Sequence, residues 1–264
     1  MEYRRARERS SLGGWVRLDA VDVILAAHGA GNASEANRRI RELADVLRRR
    51  RPGVGFECAF WKGTPTYEEA TRSLVGRSPL VVPIMASDGY YASRRLLEEC
   101  AKGDPSRSFV ITRPIGTLSA FPGLVATKVR AAIASLTGQG ANPVVMLVGH
   151  GTTRVRSSGD AARWVREELV LAFPKTEVFV AFLDEPPRIA EVAELLGDRP
   201  VVVVPLLLGG GPHVLVDIKN ALSAPRKILP PILEWPELAA LVLDSIDLVT
   251  PRPMPVEAGS SKAP

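Results

Sequence analysis

Apolar residues fall along this chain in two alternating patterns. Short unbroken apolar runs, rich in β-branched residues, read as strands buried on both faces, as in a parallel sheet. The clearest are Val21–Ala27, Val144–Gly149 and Val201–Leu208, the last reading VVVVPLLL. Between the runs lie longer stretches with apolar residues at helical spacing. In Ala33–Arg51, Ile40, Leu43 and Leu47 share one face and arginines line the other, and Pro52-Gly53 stops the helix. The first part of the chain continues as strand Phe56–Trp61, helix Glu68–Leu74, strand Pro79–Met85, helix Ser93–Cys100, strand Phe109–Thr112 and helix Phe121–Leu136. After Val144–Gly149 the second part continues as helix Asp160–Phe173, strand Glu177–Leu183, helix Arg188–Leu196, strand Val201–Leu208, strand Lys227–Leu229 and helix Trp235–Leu248.

The order of elements repeats, and so do particular residues. His150 lies 122 residues after His28, Phe182 122 after Phe60 within a shared Ala-Phe pair, and Pro205 122 after Pro83 within a shared Val-Val-Pro. Three anchors at one separation indicate an internal duplication. Strands alternating with helices make this an α/β chain of two tandem lobes, 19–138 and 143–250. The join is the glycine-bearing polar stretch Thr137–Asn142. Residues 1–18 read as a disordered basic arm and 251–264, rich in Pro, Ser and Ala, as a disordered tail.

Composition narrows the function classes. The net charge of +5 owes much to the arm, with five arginines against two glutamates, so the rest is nearly neutral. Only 6% of residues are aromatic and no basic stripe carries interleaved aromatics, which disfavours nucleic acid as a partner. No apolar run approaches the roughly 18 residues that a bilayer span needs. The N-terminus lacks the apolar core of a secretory signal. Cys58 and Cys100 form no CxxC pair, so neither a zinc knuckle nor a disulfide framework is expected. A cytoplasmic location follows as the default.

The chain has only three histidines, and each follows an expected strand: His28 in His-Gly, His150 in His-Gly-Thr-Thr, and His213 after Gly209, Gly210, Gly211 and Pro212. The glycines end the strand and let the backbone approach a ligand closely. Pro212 suits the first turn of a helix, and ligands of open α/β sheets bind at strand C-termini. His150, Asp184, Glu185 and His213 all follow strands of the second lobe and converge if those strands are neighbours. Two imidazoles with a carboxylate suit a first-row divalent metal with open coordination positions, and equally suit proton transfer. The shift of 122 places Tyr91 opposite His213, Lys62 opposite Asp184, Gly63 opposite Glu185 and Arg95 opposite Asp217, so the first lobe is degenerate. The spacing of Gly209–Gly211 fits no dinucleotide fingerprint, and neither a GK[ST] loop nor a GxSxG elbow is present.

Three blocks, LVGHGTTR (Leu147–Arg154), VFVAFLDEPP (Val178–Pro187) and VVVVPLLLGGGPHVLVDI (Val201–Ile218), resemble the class II tetrapyrrole chelatases, in particular sirohydrochlorin cobaltochelatases and ferrochelatases of the CbiX/SirB type. The segment AAHGAGNASEANRRIRELADVLRRRRPG is similar to the opening of the same domain. The resemblance implies two flavodoxin-like lobes, each a parallel sheet flanked by helices, with a tetrapyrrole cleft between. It implies insertion of Co²⁺ or Fe²⁺ into sirohydrochlorin with no organic cofactor, the metal being a substrate. His150 and His213 then deliver the metal and accept pyrrole protons, with the acidic position on Asp184 or Glu185. Gly210, Gly211, His28, Tyr91 and Arg154 become substrate contacts, with Arg156, Arg94 and Arg95 further candidates for its carboxylates. Two fused lobes complete a cleft in one chain, so a monomer is expected. The competing expectations are a tetrapyrrole or metal carrier that keeps the fold without catalysis, and a regulatory partner that docks through the basic arm.

Overall fold

The computed structural model describes residues 22–74, 79–88, 92, 94–106, 108–137, 143–151, 159–208, 216, 218–221 and 227–247. Two parallel four-stranded sheets form the frame. The first half supplies β1 (Asp22–Ala27), α1 (Glu35–Arg50), β2 (Gly55–Phe60), α2 (Tyr67–Ser73), β3 (Leu80–Pro83), α3 (Arg94–Gly103), β4 (Val110–Ile111) and α4 (Phe121–Thr137). The second half supplies β5 (Val144–Gly149), α5 (Asp160–Ala172), β6 (Val178–Phe182), α6 (Ile189–Leu196), β7 (Val201–Pro205), β8 (Lys227–Ile228) and α7 (Leu238–Asp247). The sheets run β2-β1-β3-β4 and β6-β5-β7-β8.

The duplication holds at the level of register. Leu25 faces Cys58 and Val23 faces Leu80 in the first sheet; Leu147 faces Val180 and Val145 faces Val202 in the second, each shifted by 122. Beyond β7 the offset falls to 117, since Lys227 pairs with Val202 as Val110 pairs with Leu80. The second half is thus five residues shorter between its last two strands.

Both faces of each central strand are buried, which is why their sequences are apolar throughout rather than alternating. In β1, Ile24 and Ala26 pack with Tyr67, Ala70, Leu96 and Cys100 of α2 and α3. Val23 and Leu25 face the other way, toward Ile40, Leu43, Ala44 and Leu47 of α1. The helix starts are fixed locally. Ser34 caps α1, its hydroxyl accepting from the Asn37 N–H at 3.2 Å. Thr66 and Glu69 form a reciprocal capping box on α2.

The last helix of each half crosses over. α4 packs against β7 and α5 of the second half, and α7 packs against β3 and α1 of the first. One continuous hydrophobic core results, holding Leu25 and Val82 of one sheet and Leu147 and Val204 of the other. Lys128 of α4 pairs with Glu237 just before α7 at 2.7 Å, and Arg51 pairs with Asp247 at the far end of α7. The contiguous lobes expected at 19–138 and 143–250 therefore exchange their closing helices. Apolar periodicity marks the buried face of a helix but not the sheet that receives it. Several boundaries also move, strand Pro79–Met85 to Leu80–Pro83 and strand Phe109–Thr112 to Val110–Ile111 among them. The strand expected over Val201–Leu208 ends at Pro205, although the Leu206 N–H still donates to the Val148 carbonyl at 2.8 Å and Leu206–Leu208 stay buried. The helix expected from Trp235 begins at Leu238, after a 3₁₀ turn at Ile232–Glu234. The expected arm and tail lie outside the described residues, and among the described residues no helix is long and apolar enough to cross a membrane.

Candidate functional site

β5 lies between β6 and β7, so the chain leaves three adjacent strands at one sheet edge. Of the expected residues, His150 and Asp184 come together here. His150 follows β5 and Asp184 follows β6. The backbone binds the two loops together: the Leu183 and Asp184 N–H groups both donate to the His150 carbonyl, at 3.1 and 3.0 Å. Asp184 Oδ2 then lies 3.3 Å from His150 Nδ1, with both side chains more than half exposed.

The imidazole has a defined orientation. His150 Nδ1 is 3.0 Å from the Gly151 carbonyl, which can only accept, so Nδ1 carries the proton. With a carbonyl and a carboxylate both at Nδ1, Nε2 keeps the lone pair and can take a metal ion or a proton. Gly151 has φ of 69°, a left-handed backbone that favours glycine, and a Cβ there would lie 2.6 Å from Glu185 Cγ.

The first lobe repeats this frame. His28 Nδ1 is 3.0 Å from the Gly29 carbonyl, Gly29 has φ of 70°, and the Lys62 N–H donates to the His28 carbonyl at 2.7 Å. The Tyr67 hydroxyl donates to the Ala27 carbonyl at 2.7 Å and steadies the strand end beside His28. The same Nδ1 contact therefore stands in both lobes, but an exposed ammonium replaces the carboxylate in the first.

The C-terminal edges of the two sheets approach each other. Arg39, near the start of α1, lies 3.5 Å from Glu234 in the turn before α7, and Arg51 and Asp247 pair where the two helices end. The helices run side by side in one direction, each starting at the C-terminal edge of a sheet.

Glu185 does not resemble its neighbour. It is buried, and its Oε1 accepts from Arg163 Nη2 of α5 at 2.7 Å. The Arg163 guanidinium stacks 5.0 Å from the Phe182 ring centre. The structure thus assigns Glu185 to an ion pair with Arg163, whereas Asp184 faces His150. Arg163 and Asn37, whose side chain bridges the Ala30 N–H and the Lys62 carbonyl, were not among the expected site residues. The same shift by 122 carries the signal that could have found them: it sets Asn37 against Gly159 and Gly63 against Glu185, and matches Arg163 to Arg41, which lies over Phe60 as Arg163 lies over Phe182. Of the candidate arginines, Arg94 bonds Glu98, and Arg95 pairs with Glu98 and Glu99 and stacks 4.9 Å from the Trp61 ring. His213, Tyr91, Arg154, Arg156, Gly210, Gly211 and Asp217 lie outside the described residues. Among the described residues no group of three His, Cys, Asp or Glu side chains could hold a metal, and His150 with Asp184 supplies a pair. The cysteines do not add to it. Burial pushes the Cys58 thiol up to about 11 and that of Cys100 up to about 12.

Comparison with known proteins fits this duplicated frame. The CbiX family model matches residues 22–132 and again 144–247. A curated protein of Halobacterium salinarum, named "Probable sirohydrochlorin cobaltochelatase", is 23% identical, over 74% of either chain. Among solved structures, CbiX, described as the terminal enzyme for biosynthesis of siroheme in denitrifying bacteria, superposes with a TM-score of 0.69. It is 25% identical, over 86% of this chain and 98% of that one. SirB from Bacillus subtilis, solved with Fe³⁺, gives a TM-score of 0.68 at 19% identity, over 86% and 94%. A multi-domain protein of Deinococcus radiodurans with structural similarity to chelatases gives 0.65 at 22%, over 86% of this chain and 55% of that one.

Proposed function

The chain belongs to the CbiX family of chelatases, and from that premise we propose that it inserts a divalent metal, Co²⁺ or Fe²⁺, into sirohydrochlorin. One observation carries the reading: an imidazole at the C-terminal edge of β5 whose Nδ1 meets a carbonyl at 3.0 Å and a carboxylate at 3.3 Å, with no partner for its Nε2 among the described residues. The metal is a substrate. The reaction exchanges one M²⁺ for the two pyrrole protons of the macrocycle, so the site must hold a cation and then accept protons. His150 Nε2 serves for either step. Asp184, on the Nδ1 side, holds the ring in orientation for either step. His213, which follows β7 in sequence, is the second imidazole of this reading and shares the proton load, which then passes to solvent.

The lobes divide the work. The second lobe handles the metal and protons. The first, with Lys62 where the second has Asp184, grips the anionic periphery of a polycarboxylate macrocycle. Because the two edges approach each other, one planar ligand reaches both. The protein acts as a monomer in the cytoplasm in this reading and needs no organic cofactor.

The test is a spectroscopic insertion assay with sirohydrochlorin and Co²⁺ or Fe²⁺. His150→Ala and Asp184→Ala are expected to lose insertion while sirohydrochlorin binding, read by fluorescence quenching, persists. Full activity in both variants would refute the assignment. A wild-type protein that binds the macrocycle without changing its metal-free spectrum would be a carrier.

A further inference from the structure

We propose that Glu185 is a positioning residue for the His150–Asp184 pair, acting as a polar plug that locks the loop after β6 to the start of α5. This rests on the chelatase reading for its functional consequence. The geometry is specific. The Glu185 side chain is 10% exposed and is held by Arg163, whose guanidinium lies over Phe182, the last residue of β6. A Cβ added at Gly159 would lie 2.5 Å from Glu185 Oε1, and one added at Gly151 2.6 Å from Glu185 Cγ. The side chain therefore fills the space between the residue after His150 and the N-terminus of α5. Its neighbour Asp184 donates its N–H to the His150 carbonyl at 3.0 Å. Whatever fixes residue 185 fixes the carboxylate beside the imidazole.

The first lobe fills the same space from the opposite side. Position 159 corresponds to Asn37 and position 185 to Gly63, each shifted by 122. Asn37 is fully buried; its Oδ1 accepts from the Ala30 N–H at 3.0 Å and its Nδ2 donates to the Lys62 carbonyl at 3.1 Å. A Cβ at Gly63 would collide with Asn37 Nδ2. One lobe thus pairs a helix asparagine with a loop glycine, and the other a helix glycine with a loop glutamate. In the first lobe the buried side chain ties the loop after the first strand to the loop after the second; in the second lobe it ties the loop after the second strand to α5, and in both a glycine opposite makes room. A plug that can be supplied from either side is a spacer and tether, not a ligand whose charge reacts.

The experiment uses the full chain with Glu185→Gly, Gly159→Asn, the double variant and Glu185→Gln. The readouts are hydrogen exchange at the Asp184 amide, melting temperature, and kcat and KM for sirohydrochlorin in metal insertion. Glu185→Gly is expected to speed exchange at Asp184 and to lower kcat, each roughly tenfold or more, with KM for sirohydrochlorin within about twofold. The double variant, which transplants the first lobe's solution, is expected to recover both to within about threefold. Glu185→Gln still accepts from Arg163 and is expected to stay within about threefold of wild type, which keeps the test alive if the glycine variant misfolds. Unchanged exchange and kcat in Glu185→Gly would overturn the proposal. So would a double variant that regains melting temperature but not kcat, or a Glu185→Gln that is as inactive as the glycine variant, which would make the charge itself the agent. If the wild type inserts no metal yet the Asp184 amide responds as expected, the tether stands and the chelatase reading falls.

Discussion

Replacing Gly151 by alanine is expected to cost far more than the same change at Gly53, and the structure separates the two contributions. Both glycines have positive φ, 69° and 93°. A Cβ at Gly53 would meet nothing within 4 Å, so Gly53→Ala pays only for the left-handed backbone, about 1–2 kcal/mol, partly offset by the stiffer unfolded chain, about 0.4–1 kcal/mol. A Cβ at Gly151 would in addition lie 2.6 Å from Glu185 Cγ and 2.9 Å from Phe182 Cβ. Phe182 is 1% exposed and fixed in β6, so Glu185 and its loop must move, and overpacking of this kind adds about 1–3 kcal/mol. For a chain of this size each kcal/mol lowers the melting temperature by about 2–4 °C. Gly53→Ala should therefore shift it by roughly 2–4 °C and Gly151→Ala by roughly 5–10 °C. The latter should also lose metal insertion, since the displaced loop carries Asp184. Differential scanning calorimetry of the two variants beside wild type checks this. Equal shifts would show that the space around Gly151 is not filled as described.

Lys62→Glu should weaken sirohydrochlorin binding roughly tenfold or more, most strongly at low salt, while Lys62→Arg retains it; a titration of macrocycle fluorescence reads both, and unchanged affinity in Lys62→Glu would remove the first lobe from substrate binding. Burial raises both thiol pKa values, to about 11 at Cys58 and about 12 at Cys100, so neither should react with iodoacetamide at pH 8 in the native protein, and both should react in urea. An unfolded thiol ionises near its ordinary value of 9.0, so the unfolded chain releases these protons first. Stability is then expected to fall as pH rises from about 9 toward about 11, read by urea titration across that range.

Much of the frame was legible because both faces of each strand are buried. A run such as Val144–Gly149 admits only apolar residues, and its bounds in the structure are those its pattern indicates. The repeat was legible because the shift of 122 is carried by residues that the register itself pairs. The exchange of α4 and α7 was not, because an apolar helix face has the same pattern whichever sheet it meets. At the site, His150 and Asp184 stood out as rare or charged residues after strands. Asp184 and Glu185 are chemically near-identical and adjacent, and what separates them is the direction each side chain takes. That direction is set by Arg163, 22 residues away in sequence, and by the missing side chain at Gly159. A glycine marks such a space only when compared with its counterpart, Asn37.

The crossing of the last helices also bears on how the molecule comes into being. Leu238, Leu241, Val242 and Ile246 of α7 are almost wholly buried, each worth about 1.5–3 kcal/mol when shielded from water, and they cover the sheet whose strands leave the ribosome first. Beside α1, part of that flank stays uncovered until the second half is translated. Neither half covers its sheet with its own last helix, so each is expected to lose part of its core when expressed without the other.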